Sequence, residues 1–293
     1  MRVMRRRLLV LVAAVALASA ACTPYLTPSG PAPLRYRDQV FSGVTKTADV
    51  VYGSAPDQQG RTVTLRLDVY EPTGDRVVAR PAIVWVHGGG FSGGDKTSPE
   101  IVDQANTFAR MGYLNVSIAY RLAPGGCSAA APTASCLRAI VDAQHDAQAA
   151  VRFLRANAAR YRVDPARIAI AGTSAGAITA LNVGFNATDP GSSGNPGYSS
   201  AVGAAVSLSG AKILGTADAA DAPSLLFHGT VDPLVPYQWA RNTVDAAHAA
   251  GLRSYLTTWE GEGHVPYVSH RGEIISQTRN FLYWELDLAD AAR

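Results

Sequence analysis

Ile168-Ala169-Ile170-Ala171-Gly172-Thr173-Ser174-Ala175-Gly176 is the stretch that decides how this chain is read. A short apolar run of strand character enters Gly-x-Ser-x-Gly, and a segment with helical character, Ala175 to Phe185, follows. That order is what a nucleophile elbow requires. The serine sits on a sharp strand-to-helix turn with strained backbone angles, and its Oγ stays exposed. Gly172 and Gly176 leave room for the strand and helix to pack closely. An ordinary Gly/Ser turn is the competing reading, since small residues recur in an alanine-rich chain.

Two other regions bear on that choice. Upstream, Pro81-Ala82-Ile83-Val84-Trp85-Val86 has the pattern of a buried strand and runs into His87-Gly88-Gly89-Gly90-Phe91. Three consecutive glycines leave backbone N–H groups unshielded, and an oxyanion site needs donors already aimed at developing charge. Downstream, Ser224-Leu225-Leu226-Phe227 leads into His228-Gly229-Thr230-Val231-Asp232, and Tyr255-Leu256-Thr257-Thr258-Trp259 leads into Glu260-Gly261-Glu262-Gly263-His264. Each reads as a strand, a glycine-bearing loop and a titratable residue. Ser174, Asp232 and His264 follow the chain order Ser…Asp…His, which differs from the chymotrypsin and subtilisin orders.

On these motifs the chain resembles the α/β-hydrolase superfamily, in its carboxylesterase/lipase branch with a His-Gly-Gly-Gly oxyanion loop and a Gly-x-Ser-Ala-Gly elbow. Tyr120-Arg121-Leu122-Ala123-Pro124 and Val163-Asp164-Pro165-Ala166-Arg167-Ile168 look like intervening landmarks of that group. The resemblance spans roughly residues 60 to 285. Many relatives carry a further glycine after the elbow where this chain has Ala177, which leaves the subfamily open.

A serine hydroxyl is a weak nucleophile near neutral pH and needs an adjacent base. The expected roles follow from that. His264 takes the Ser174 proton and returns it to the leaving group, and Asp232 holds the imidazole tautomer and stabilises the imidazolium. The N–H groups of Gly89, Gly90 and Ala175 form the oxyanion hole. His87 is read as a brace for the glycine loop and His228 as a shaper of the acid loop. Asp218 and Asp221 sit in a polar connection with no strand leading in, and Glu260 and Glu262 read as loop surface. His270 reads as a solvated residue at the start of the last helix. Asp142, His145 and Asp146 would share a helix face, which could suggest a metal site, but the Ala/Arg surroundings favour a surface helix with local polar contacts. No metal or other cofactor is expected.

Arg2, Arg5, Arg6 and Arg7 precede the apolar run Leu8 to Ala18, and Ser19-Ala20-Ala21-Cys22 follows. Residues 1–21 therefore read as a signal peptide: basic start, short hydrophobic stretch, small residues. The chain carries 26 Lys+Arg against 23 Asp+Glu, a formal charge of +3. Without residues 1–21 four arginines and no acid are lost, so 22 face 23 and the charge becomes −1. The basic balance belongs to the leader, and nothing argues for nucleic-acid binding. An exported chain can keep Cys127 and Cys136, nine residues apart in one Gly/Ala/Pro-rich loop, as a disulfide; two free thiols are the alternative. Cys22 then stands at the position where bacterial lipoproteins carry their acylated cysteine, giving a possible membrane tether. The residue three before it is Ser19 where that box usually has a leucine-like residue, so plain cleavage after Ala20 is the rival.

Residues 22–38, with their prolines, serine and glycine, read as a flexible tether, and 39–293 as one catalytic domain. Alternating strands and helices predict an α/β fold with a mostly parallel central sheet, helices on both faces and little or no cap. Helices are expected at Pro99–Met111, Arg138–Ala159, Gln238–Ala250 and Ile274–Leu288, and Thr188–Ser200 reads as a surface insertion. The resemblance and the three residue types together imply a serine carboxylic-ester hydrolase acting on short-acyl esters, with an open, shallow site. An oligopeptidase-like or amidase activity is the alternative on the same scaffold, and a catalytically inactive binding protein the alternative outside catalysis. The oligomeric state is not legible in the sequence.

Overall fold

The computed structural model describes residues 25–125, 127, 132–186 and 188–291. Residues 1–21, read above as a signal peptide, and the lipidation candidate Cys22 lie outside them. Among the described residues the chain forms, in order, β1 (Val44–Pro56), β2 (Thr62–Pro72), β3 (Arg80–Val86), α1 (Pro99–Met111), β4 (Leu114–Ile118), α2 (Ala134–Ala156), α3 (Ala158–Tyr161), β5 (Val163–Thr173), α4 (Ala175–Gly184), β6 (Ala204–Leu208), β7 (Ser224–Gly229), α5 (Tyr237–Ala249), β8 (Ser254–Trp259) and α6 (Tyr267–Glu285). One eight-stranded sheet takes the order β1-β2-β4-β3-β5-β6-β7-β8. The β1–β2 and β2–β4 pairs are antiparallel, and every pair from β4–β3 to β7–β8 is parallel.

Strands buried on both faces explain the unbroken apolar runs. Along β3, Ala82, Val84 and Val86 join one core with α2, α4 and α5, whereas Ile83 and Trp85 join a second core with α1 and α6. Ile168 and Ile170 of β5 face the first core, Ala169 and Ala171 the second. The chain steps from β3 outward to β4 and then returns to the other side of β3 to lay down β5. Strand order thus reverses at β3/β5, and the crevice beyond the carboxyl ends of strands at such a switch point is where open α/β sheets place their sites. The glycine loop leaves β3 there and the elbow leaves β5.

Several boundaries differ from the sequence-based expectation, each for a local reason. β5 already pairs with β3 at Val163, but the register breaks between Val163 and Ile168, where Pro165 has no N–H to donate. α2 begins at Ala134 rather than 138 because Thr133 caps it, its Oγ1 accepting from the Cys136 N–H at 3.1 Å. Helix α6 begins at Tyr267, seven residues before Ile274. His270 is consequently no solvated residue: it is half-buried, stacks on Trp259 at 4.0 Å and holds Glu262 at 3.1 Å.

Over residues 25–38 the expected flexible tether is instead docked. Tyr25 packs edge-on against Tyr255 (5.3 Å) and Phe281 (5.2 Å), and the Trp284 Nε1–H donates to the Leu26 carbonyl at 2.8 Å. Tyr36 is fully buried, its N–H donating to the Met111 carbonyl at 2.8 Å. Two tyrosines supply enough apolar area to anchor a segment whose prolines and glycine read as a linker. No helix among the described residues is long and apolar enough to cross a membrane.

Candidate active site

Ser174 occupies φ 53°, ψ −119° between β5 and α4, a conformation in which a residue with a side chain is strained. Close packing enforces it. A Cβ at Gly172 would lie 2.3 Å from the Gly176 carbonyl oxygen, and one at Gly176 would lie 2.0 Å from that of Val86. The Ser174 N–H donates to the Leu208 carbonyl of β6 at 2.9 Å, pinning the turn from the other side. Ala177 is accommodated by a second small residue: a Cβ at Gly210 would stand 2.5 Å from the Ala177 methyl.

The structure brings together the three residues that the sequence singled out. His264 Nε2 lies 2.8 Å from Ser174 Oγ, and His264 Nδ1 lies 2.7 Å from Asp232 Oδ2. An ionised carboxylate only accepts, so Nδ1 carries the proton and Nε2 is left to accept from the serine hydroxyl. Asp232 is buried and its Oδ1 accepts from the backbone N–H groups of Leu234 (2.9 Å) and Val235 (3.0 Å). Burial alone would push its carboxyl up; hydrogen bonds from His228, His264, Val235 and Leu234 outweigh that and hold it well below the usual carboxylate range.

The loop bearing His264 is held by a residue the sequence gave no reason to choose. Val265 sits at φ 50°, costly for a β-branched residue, and its N–H donates to Ser209 Oγ at 3.0 Å. Ser209 is fully buried just beyond β6, at φ 58°. Its only signal was a serine after an apolar strand. Gly229 lets the acid and histidine loops meet, since a Cβ there would lie 2.2 Å from the Glu262 carbonyl oxygen.

The glycine loop lies directly over the serine. A Cβ at Gly88 would be 3.1 Å from that of Ser174, and Gly89, Gly90 and Phe91 all take positive φ (113°, 59° and 60°). His87 braces the loop: Nδ1 lies 2.6 Å from the Gly88 carbonyl and the ring stacks on Tyr120 at 4.4 Å. Burial pushes the His87 imidazole below its ordinary value, which favours the neutral ring. Gly90 and Ala175 line the same cavity as Ser174, and the Ala175 N–H, in the first turn of α4, has no intrahelical acceptor. Gly89 is not part of that lining.

A cavity of about 640 Å³ opens beside Ser174, walled by Phe91, Leu137, Ile140, Ile213, Leu234 and Trp239. Its lining is mostly apolar, more extensive than the expectation of a shallow site allowed. Residues 233–236 of the β7–α5 connection and Trp239 of α5 contribute to its wall, which no local pattern announces. Cys127 and Cys136 are joined in a disulfide in the cavity wall. The Cys127 N–H donates to the Gly90 carbonyl at 3.0 Å, tying this loop to the glycine loop. With a separation of nine residues, loop-closure entropy assigns the bridge about 2.6 kcal/mol. Reduction, or Cys136→Ser, is expected to lower the urea midpoint accordingly; an unchanged midpoint with and without reductant would remove that contribution.

The remaining acids go elsewhere. Asp221 Oδ2 accepts from the Asp218 N–H at 2.8 Å, a local turn contact. Asp146 is not at a helix surface but fully buried, accepting from Arg121 Nη2 at 2.8 Å and from the Arg121 backbone N–H at 2.8 Å. Among the described residues no group of three His, Cys, Asp or Glu side chains could hold a metal ion. In the 188–200 insertion, Ser193 is buried against Arg121 Nη2 at 2.9 Å, so that loop too is anchored.

Comparison with known proteins agrees with this architecture. The BD-FAE family model matches residues 67–211 and the TAP-like protein model residues 201–283. Phenmedipham hydrolase of Pseudarthrobacter oxydans is 36% identical over 116 residues, which is 39% of this chain and 22% of that protein. The matched segment thus spans about a fifth of that relative's length. Esterase 2 of Thermogutta terrifontis, phosphorylated by paraoxon, superposes with a TM-score of 0.61 at 26% identity, covering 84% of this chain and 92% of its own. The propionate-bound form of the same esterase gives 0.61 at 25% identity, covering 83% and 92%. A truncated carbohydrate esterase from gut microbiota shares the fold, with a TM-score of 0.63 at 20% identity over 85% of this chain and 98% of its own.

Proposed function

This chain is a carboxylesterase-like member of the α/β-hydrolase superfamily, and from that premise we propose that it hydrolyses short-acyl carboxylic esters through an acyl-enzyme on Ser174. The observation that carries the reading is the relay of 2.8 and 2.7 Å from Ser174 through His264 to Asp232, set under a glycine loop. Ser174 Oγ attacks the ester carbonyl carbon as its proton passes to His264 Nε2. The carbonyl oxygen becomes an oxyanion facing the N–H groups of Gly89, Gly90 and Ala175; one such donor is worth about 2.7–4 kcal/mol of barrier. Collapse breaks the bond to the alkoxy oxygen, which leaves with the proton from His264. Water then attacks the acyl-enzyme, giving its proton to His264, and the acid departs as Ser174 recovers its hydrogen.

The acyl preference is supported by the ligands of a solved neighbour and by the size of the cavity. Esterase 2 of T. terrifontis has been solved with propionate and with butyrate bound. A cavity of about 640 Å³ exceeds what such acyl groups fill and leaves room for a bulky alcohol. The disulfide suits an oxidising compartment, consistent with export by the leader.

A fluorophosphonate probe should label the protein once per chain, at Ser174. Across p-nitrophenyl esters from C2 to C16, kcat/KM is expected to peak at or below C4 with no rise at micelle formation. Absence of labelling would remove the enzyme reading. A maximum at C12 or longer would mean that the apolar walls, each methylene worth about 0.8 kcal/mol against them, serve a long acyl chain instead.

A further inference from the structure

His228 is the penultimate residue of β7, four residues before Asp232, and is fully buried. Its Nε2 lies 2.8 Å from the Val235 carbonyl oxygen and 3.2 Å from Asp232 Oδ2. Two acceptors facing one ring nitrogen require that nitrogen to carry the hydrogen. The other nitrogen, Nδ1, is buried with no hydrogen-bond partner among the described residues. A proton there would be an unpaired charge-bearing donor, so the ring is the neutral Nε2–H tautomer. Asp232 Oδ2 therefore receives two imidazole donors, His264 Nδ1–H at 2.7 Å and the shared His228 Nε2–H, while Oδ1 receives two backbone N–H groups.

We propose that His228 is a positioning residue of the Ser174–His264–Asp232 relay: its Nε2–H, split between the Val235 carbonyl and Asp232 Oδ2, turns the carboxylate towards His264 and takes a share of that oxygen's charge. The inference rests on the relay reading above and adds a fourth member to it. The carboxylate has about four acceptor positions, and the four donors fill them. With His228 in place Asp232 cannot rotate without breaking a bond, and it attracts the imidazolium of His264 less than a carboxylate with a free lone pair would.

Other groups around the relay do not duplicate this contact. Glu262, two residues before His264, is engaged by His270 of α6 at 3.1 Å. Tyr237 of α5 faces the His228 ring edge-on at 6.0 Å and its hydroxyl pairs with Thr258 at 2.9 Å. His87 on the glycine loop is stacked on Tyr120. On the elbow side Ser174 contributes only its hydroxyl to His264.

The sign of the effect follows. Replacing His228 by Leu removes a donor from Asp232 Oδ2, concentrates the charge on the side facing His264 and stabilises its protonated form. The acid limb of the kcat/KM profile should therefore move to higher pH in His228→Leu. His228→Gln places an amide N–H near the Nε2 position and should leave that limb at its wild-type pH. A residue that merely fills space would lower the melting temperature in both variants and move the limb in neither.

The test is the titration of His264 by imidazole 15N NMR in the wild type, His228→Gln and His228→Leu, with kcat/KM profiles for p-nitrophenyl acetate alongside. Expected are an upward shift in His228→Leu, recovery in His228→Gln, and a wild-type His228 whose hydrogen sits on Nε2. An unshifted His264 in folded His228→Leu, an equal shift in His228→Gln, or a proton found on His228 Nδ1 would each overturn the proposal. If His228→Leu does not fold, the glutamine variant and the wild-type tautomer still decide. If the protein hydrolyses no ester, the NMR titrations remain readable and separate that failure from this one.

Discussion

Ser174→Ala is expected to leave a folded protein whose kcat/KM towards p-nitrophenyl acetate is lower by roughly 10⁴-fold or more. The stability side of this expectation is local. Alanine suffers the same strain as serine at φ 53°, and the substitution deletes one hydrogen bond, to His264 at 2.8 Å. Such a bond is worth about 1 kcal/mol, which shifts a chain of this size by a few degrees at most. The catalytic side is much larger because the covalent intermediate disappears while the proposed oxyanion donors stay. What remains is the acceleration that positioning and those donors give on their own, still about 10³-fold or more over water. Thermal melts and single-turnover kinetics on one preparation separate the two effects. Near-normal hydrolysis by the folded variant would sink Ser174 as nucleophile.

The elbow was legible because its determinants are local. Gly172 and Gly176 are required by carbonyl oxygens little more than 2 Å from where a side chain would begin, and strand and helix patterns flank them directly. The order of Asp232 and His264 after Ser174 was readable for a similar reason: each follows an apolar strand whose end must reach the same edge of a parallel sheet. Features created by chain segments meeting at long range were not. Tyr25 and Tyr36 dock a segment that its composition presented as a linker. Asp146 looked like one third of a polar helix face, but its partner Arg121 lies 25 residues away and draws it into the interior. The cavity's wall draws on Trp239 and residues 233–236, far along the chain from Ser174. Ser209 was missed as a member of the site, and His228, read as a shaper of the acid loop, was not read as a partner of Asp232, for the same cause. Their importance lies in whose hydrogen bonds they complete, and no spacing rule encodes that.

For Asp232→Asn a loss of about 10⁴-fold in kcat is expected, and the backbone predicts why the amide cannot rescue itself. The N–H groups of Leu234 and Val235 demand an acceptor at the Oδ1 position. Asparagine must therefore put its oxygen there and turn its NH₂ towards His264 and His228. Facing a donor, His264 Nδ1 has to accept, so its proton moves to Nε2 and points at Ser174 Oγ, where a general base is needed. The same NH₂ meets the His228 Nε2–H, a buried donor against a donor, so stability should fall as well. Its pH dependence has a definite sign. The wild-type carboxyl is held below its ordinary value in the folded state, so its stabilisation is complete above the unfolded value of about 3.9 and fades as pH falls towards the folded one. The wild type should exceed Asp232→Asn in unfolding free energy at pH 7, with the gap narrowing below about pH 4. Urea titrations of both proteins from pH 3 to 8 measure this. Asp221→Asn is the control, since Asp221 closes a turn with Asp218 away from the relay. Greater damage to kcat from Asp221→Asn than from Asp232→Asn would mean that the acid has been assigned to the wrong carboxylate.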